Sequence, residues 1–312
     1  MQSALILRHP VYAPGGQVLF AEGTMLTDGV IADLIHASQN QSWVQAKVME
    51  HGSIAGNLHK LCATPPYDRI FSNGSRTRSL FAFLGKAQLP EPLLSIIDFF
   101  KRKDPYTYRH ILIVFALSML LAQDFMKDIH DLQAAAQAST THDLGKFCIP
   151  LEVLKKTTLL GQAERQYLEH HSAAGYVLLS YFLKDPRHPA AITARDHHER
   201  CDGSGYPCGQ KLENRIVQIV AVSDVFDALI ANRPYRSAAY DLRSALDEIT
   251  EMAATGAIPW DIAKALINYS RRRRVPIGQC QVSREKRGHP PANNLYRGVA
   301  PTDSCFDIDA ES

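Results

Sequence analysis

The chain has 312 residues, 46% of them apolar and 21% charged, an ordinary globular composition that excludes a collagen-like, low-complexity or wholly disordered polypeptide. Thirty-four Lys and Arg against 32 Asp and Glu leave a formal net charge of +2, too weak a bias for a dedicated duplex-binding protein. At roughly 150 residues per domain, the length fits about two domains.

In chain order, Gly15-Gly16 predicts a turn, Gln17 to Phe20 a short strand, and Gly23 a second turn. Thr27 and Asp28 are N-cap candidates for a helix through Ala37, with Val30, Ile31, Leu34 and Ile35 on one face. Trp43 to Val48 suits a strand, and the Pro-, Gly-, Asn- and Arg-rich stretch from Cys62 to Ser79 reads as loop. Gly85 to Pro92 reads as an inter-domain connection. Helical spacing follows: Leu93 to Phe100, His110 to Gln123, Leu132 to Thr140, Glu164 to Leu183, Ile192 to Glu199, Leu242 to Ala254 and Ile262 to Tyr269. Arg215 to Ile230 is rich in β-branched residues, which suit a strand, but its length favours a helix. From Val282 the chain turns polar, with Pro290-Pro291, and reads as a disordered tail. The division expected is a small α/β module over 1–84, a helical domain over 85–281 and the tail over 282–312.

The longest apolar stretch, Ile111 to Ala122, has 12 residues. A bilayer crossing needs roughly 20, so a buried helix and no membrane span are expected. No long apolar core follows the N-terminus, so no signal peptide is expected. The six cysteines form no CxxC pair and read as reduced thiols in a cytoplasmic protein.

Eight of the 13 histidines lie between His110 and His198. Six of the eight fall in YTYRH (Tyr106 to His110), HDLGKFCIP (His142 to Pro150), HHSAAG (His170 to Gly175) and HHERCDGSGYP (His197 to Pro207). A fifth segment, VSDVFDALIANRPY (Val222 to Tyr235), supplies two aspartates and opens an Arg-Pro-Tyr-Arg run. Each segment alone is weak, since a lone histidine in an apolar helix is more often a packed core residue than a ligand. Together, histidines and aspartates without cysteine pairing suit a hard or borderline divalent ion such as iron or manganese. Neighbours on a helix point about 100° apart, so in the His142-Asp143 pair one residue can serve a first ion while the carboxylate spans two. Two ions about 3.5–4 Å apart can activate a bridging hydroxide against a phosphodiester. Gly145 permits close backbone approach, and Lys146, three residues beyond Asp143, can reach a phosphate oxygen if the helix continues.

HDLGKFCIP, HHERCDGSGYP and SDVFDALIANRPYR, in this order, resemble the HD-GYP family of bacterial phosphodiesterases, over roughly Leu93 to Tyr269. The resemblance implies a mainly α, HD-type helical bundle, here joined to the small N-terminal α/β module and the C-terminal tail. It implies hydrolysis of cyclic di-GMP to pGpG and on to GMP. It implies metal ligands at His110, His142, Asp143, His171, His197, His198 and Asp224, with Asp143 as bridge and His170 as bystander. Lys146 then stands near the scissile phosphate, Arg233 and Arg236 at the nucleotide phosphates, and Tyr206 at a nucleotide or partner contact. Tyr106 stands where members with a third metal carry glutamate, which implies two metals, iron or manganese.

Three further departures are visible: a segment about five residues short after Pro207, Thr140-Thr141 in place of apolar residues, and Cys201 in place of an aromatic. The short segment keeps open a catalytically weak sensor or adaptor that binds a partner such as a diguanylate cyclase. Another cyclic dinucleotide as substrate, and a dimer, also stay open.

Overall fold

The computed structural model describes residues 5–232 and 239–291. The N-terminal part alternates short ladders and helices. In chain order they are β1 (Leu5–Ile6), β2 (Val11–Tyr12), β3 (Val18–Phe20), β4 (Met25–Leu26), α1 (Asp28–Ala37), β5 (Gln45–Lys47), α2 (Ile54–Cys62), α3 (Tyr67–Ile70) and α4 (Gly74–Leu84). β6 (Gln88–Pro90) leads into α5 (Glu91–Lys103), α6 (Pro105–Phe125), α7 (Ile129–Thr141), a 3₁₀ turn (Leu144–Cys148) and α8 (Leu151–Leu154). Then come α9 (Gln162–Glu169), α10 (His171–Leu183), α11 (Pro189–Asp196), α12 (Arg215–Ile230), α13 (Leu242–Ala254) and α14 (Trp260–Tyr269). β1 pairs with β4, β2 with β3 and β5 with β6, all antiparallel. The architecture is mainly α, as expected.

The helix starts follow local chemistry. Thr27 accepts from the Val30 N–H to cap α1, Asp104 caps α6 through the Thr107 N–H, and Asp128 caps α7 through the His130 N–H. Asn214 caps α12, and His188 caps α11 ahead of Pro189, a residue suited to the first helical position. α6 is the axis of the body. Every residue from His110 to Ala122 is buried, so this helix is apolar all round rather than amphipathic. It packs against α2, α4, α5, α7, α12 and α14. Its 21 residues are long and apolar enough to cross a membrane, yet 83% of its apolar window is buried within the body, as in a core helix. α12 settles the strand-or-helix question for its β-branched run: it is a helix with Ile219 to Ile230 wholly buried.

Three expectations change. The 62–79 stretch is not loop, because its Pro, Gly and Asn residues punctuate helices. Asn73 caps α4, and Tyr67, Ile70, Leu80 and Leu84 are buried. The 85–92 connection is itself structured: Gln88–Pro90 pairs with Gln45–Lys47, with Pro90 at the ladder end, where a missing N–H is tolerated. One apolar cluster runs from Leu7 to Tyr269. Finally, the single helix read over 164–183 is two. α9 has no fully buried residue, whereas α10 is buried from His171 to Phe182, and His170 joins a solvent-facing segment to a core one. Residues 282–291 carry no helix or strand, and the N–H groups of Arg287 and Gly288 donate to Asp247 Oδ2 at 2.8 and 2.7 Å. The remainder of the expected tail lies outside the described residues.

Candidate metal centre

Two triads of side chains face each other across one aspartate. The first draws on three helices: His110 from α6, His142 just after α7 and Asp224 from α12. Its three ligand atoms lie within 4.8 Å of one another, and all three residues are buried. His110 Nε2 lies 3.0 Å from Asp224 Oδ1. The second triad is His171, at the start of α10, with His197 and His198 after α11, again within 4.8 Å. Nε2 of His171 lies 3.3 Å from that of His197 and 3.1 Å from that of His198. Asp143 stands between the triads. Its Oδ2 lies 3.4 Å from His110 Nε2 and 3.6 Å from His142 Nε2. Its Oδ1 lies 3.5 Å from His171 Nε2 and 3.8 Å from His197 Nε2. One carboxylate therefore offers a separate oxygen to each triad.

The outer ring nitrogens fix the tautomers. His142 Nδ1 lies 2.9 Å from the Ser139 carbonyl, His171 Nδ1 2.5 Å from Leu168, and His197 Nδ1 3.0 Å from Thr193. A carbonyl only accepts, so Nδ1 carries the proton and each Nε2 presents a lone pair inward. Burial lowers the pKa of His142 to about 4 and that of His171 to about 3. It also lowers His197, and puts His198 well below the usual range. All four rings are thus neutral, the form that ligates a cation. The inward lone pairs of His171 and His197 lie 3.3 Å apart and repel each other, and the buried His142 Nε2 has no hydrogen-bond partner. A cation in each triad answers both problems, so the donor set fits metal.

His110 differs. Burial opposes its charge, but hydrogen bonds to Asp224 and Asp227 and the nearby carboxylates outweigh burial and raise its pKa to about 9. Burial alone would raise Asp143, but Lys146 and the surrounding histidines hold it well below the carboxylate range. Asp224 is held down in the same way, by His110 first.

The backbone at the centre is tightly pressed. A Cβ on Gly145 would lie 1.9 Å from the His171 carbonyl oxygen and 2.4 Å from the Gly175 nitrogen, so only glycine lets this turn meet the start of α10. The helix does not continue past Asp143, as the reading of Lys146 had assumed. A 3₁₀ turn follows, in which positions three apart eclipse, and this puts Lys146 Nζ 2.5 Å from Asp143 Oδ2. Thr140 and Thr141, the polar departures, are buried, with hydroxyls donating to the carbonyls of Ala136 and Gln137 at 2.8 Å. Tyr206 stacks on His198 with ring centroids 4.5 Å apart. Its loop lies close because a Cβ on Gly205 would sit 2.4 Å from the His198 carbonyl oxygen. Tyr106 stacks on His110 at 6.1 Å. His170 faces away, edge-on to His9 at 5.4 Å. Arg233 and Arg236 lie outside the described residues.

The sequence reading missed four residues here. Asp227 accepts from His110 Nδ1 at 2.6 Å. Its signal was present, since it lies three residues after Asp224 on the same helix face. Tyr67 and Arg109 in turn contact Asp227. Glu199 is buried and accepts N–H bonds from Cys208, Gly209 and Gln210 at 2.7, 3.1 and 3.1 Å, which folds the Gly205 loop over the second triad.

The fold and site define a helical domain with a candidate two-site metal centre, and the family comparison places the fold. The HD domain family model matches residues 37–258. The chain belongs to the HD-domain family, in its HD-GYP group. It is 40% identical over 124 residues to the cyclic di-GMP phosphodiesterase response regulator RpfG of Xanthomonas campestris, covering 38% of this chain and 32% of that protein. It is 34% identical over 152 residues to a cyclic di-GMP phosphodiesterase of Pseudomonas aeruginosa, covering 47% and 36%. It is 30% identical over 193 residues to the 3'3'-cGAMP-specific phosphodiesterase 1 of Vibrio cholerae, covering 60% and 41%. The chain thus matches only 32–41% of the length of these relatives.

Proposed function

We propose that the protein is a metal-dependent phosphodiesterase that hydrolyses cyclic di-GMP to pGpG and then GMP. The observation that carries this reading is Asp143, whose two oxygens address two separate triads. His110, His142 and Asp224 would hold one divalent ion, and His171, His197 and His198 a second, with Asp143 shared. Iron or manganese suits a set of imidazoles and carboxylates without thiolate. The family's third-metal glutamate position is Tyr106, in keeping with two ions. When bound, such ions supply activation of water and neutralisation of a phosphate oxygen.

The chain's own residues do the rest. Asp143, Asp224 and the buried Asp227 together cannot neutralise two divalent cations, so the loaded centre would be electropositive and draw a phosphodiester. Lys146, at the edge of the centre, offers a phosphate oxygen a charge-assisted hydrogen bond. By the family resemblance, Arg233 and Arg236 hold the flanking phosphates. Tyr206 lies against His198 rather than out on a surface, which supports a nucleotide contact over a partner-protein contact. The segment 85–281 is proposed as the hydrolase unit and 1–84 as an accessory one. The five described cysteines are all unpaired, which supports a cytoplasmic setting.

The test is incubation of anaerobically iron- or manganese-loaded protein with cyclic di-GMP, read by chromatography. The expected products are pGpG and GMP, with none from Asp143→Asn. A second reading, 3'3'-cGAMP as substrate, is favoured by the longest of the three matches above, so both dinucleotides belong in the assay. Two bound metals with both dinucleotides left intact would overturn the enzyme reading. Tight nucleotide binding under those conditions would favour the sensor.

A further inference from the structure

Asp227 is fully buried, and a buried carboxylate persists only if its oxygens are paired. Its Oδ2 takes the His110 Nδ1 proton at 2.6 Å. Its Oδ1 accepts a hydrogen bond from the hydroxyl of Tyr67, a residue 160 positions away in the chain. Arg109, the neighbour of His110, donates to the Tyr67 hydroxyl at 3.0 Å, lies over its ring at 5.3 Å, and places Nη1 3.9 Å from Asp227 Oδ1. Tyr67 is only 1% exposed, and a buried tyrosine needs such a partner for its hydroxyl. Burial and the Asp227 charge push its phenol well above the usual range, so the proton stays on the hydroxyl.

We propose that Tyr67 is a positioning residue for the first metal site: with Arg109 it locks the Asp227 carboxylate, which orients the His110 ring toward the cation. The N-terminal segment thereby completes the outer support of a centre whose ligands all lie beyond residue 109. The second triad is supported differently: His198 Nδ1 lies 3.8 Å from Asp224 Oδ2, beyond hydrogen-bond reach. Its His171 and His197 Nδ1 atoms rest on backbone carbonyls, so Tyr67 acts on one site and not the other. This inference rests on the two-metal reading above, but not on the identity of the substrate.

Tyr67→Phe keeps the ring and its stacking and removes only the hydroxyl. Manganese titration of the metal-free full chain, followed by calorimetry, separates the two sites, and the step that His142→Gln abolishes identifies the first. In Tyr67→Phe the first site is expected to weaken roughly 10- to 100-fold, the range for loss of an outer partner, with the second unchanged. Asp227→Asn should give the same selective loss, and the double variant should add little to it. The nitrogen-15 shift of His110 Nδ1 in metal-free protein should move in Tyr67→Phe, a readout independent of metal and of activity. Unchanged affinity at both sites, equal loss at both, or an unmoved His110 resonance would overturn the proposal. Unaltered protein that takes up no manganese would overturn it together with the metal reading. Metal uptake without turnover of either dinucleotide would overturn the activity alone.

Discussion

The two triads are built on different supports. The first includes a carboxylate, Asp224, and its His110 is backed by a second one, Asp227. The second has only imidazoles, and His171 and His197 are backed by the carbonyls of helix ends. A charged side-chain support strengthens the electron pair that a histidine offers, but it depends on distant residues that hold the support in place. A backbone support is weaker, but it comes with the helix. The first triad is therefore expected to bind its ion more tightly and to be the more sensitive to remote substitution. The second should depend on the two backbone contacts that shape it, at Gly145 and at Gly205.

Asp143 offers a separate oxygen to each triad, so it gives the largest effect. Asp143→Asn should reduce bound metal from two to at most one and cut turnover by at least ~10³-fold, since charge stabilisation by bound metal is worth several kcal/mol; metal analysis and the dinucleotide assay check this. Gly145→Ala should disturb the second triad, because its Cβ meets the α10 backbone at His171 and Gly175. It should cost roughly 3 kcal/mol, seen in denaturant unfolding. Removing the ions from loaded protein by chelation should lower stability by about 2.7 kcal/mol for each site held at 100 times its Kd. The thermal midpoint should fall in two steps if the sites differ in affinity as argued, and a single step would break the comparison.

The smaller effects concern the second triad. Gly205→Ala presses on His198 and Glu199 backbone and should cost about 1–3 kcal/mol. Its metal titration should show a weakened second site and an intact first. Glu199→Gln turns an amide NH2 toward backbone N–H groups that now donate to a carboxylate. A cost of about 1–3 kcal/mol is expected, with Tyr206 fluorescence reporting the loosened loop. Loss of the first site in either variant would show that the triads are not independent.

The candidate ligands are singled out by the family resemblance, whose motifs fall in short segments of residue types that suit cations: His142-Asp143, His197-His198, and Asp224 in a long helix. The helices could be read where their period and cap agreed, as at Thr27. The readings that failed were those where local composition misleads. The Pro- and Asn-rich 62–79 stretch punctuates helices instead of forming loop, and α9 and α10 share an apolar pattern but not a burial. The roles of Arg233 and Arg236 rest on resemblance alone.

The sequence by itself determined a helical chain, a histidine- and aspartate-rich middle and the residues able to bind cations, because these follow from side-chain chemistry and short-range period. Only the tertiary structure decided that Asp143 divides its oxygens between two triads, that Glu199 ties down the Tyr206 loop, and that Tyr67 reaches Asp227 across 160 residues. Such contacts arise from burial. A buried polar group must find a partner wherever packing puts one, and no local pattern along the chain encodes that address.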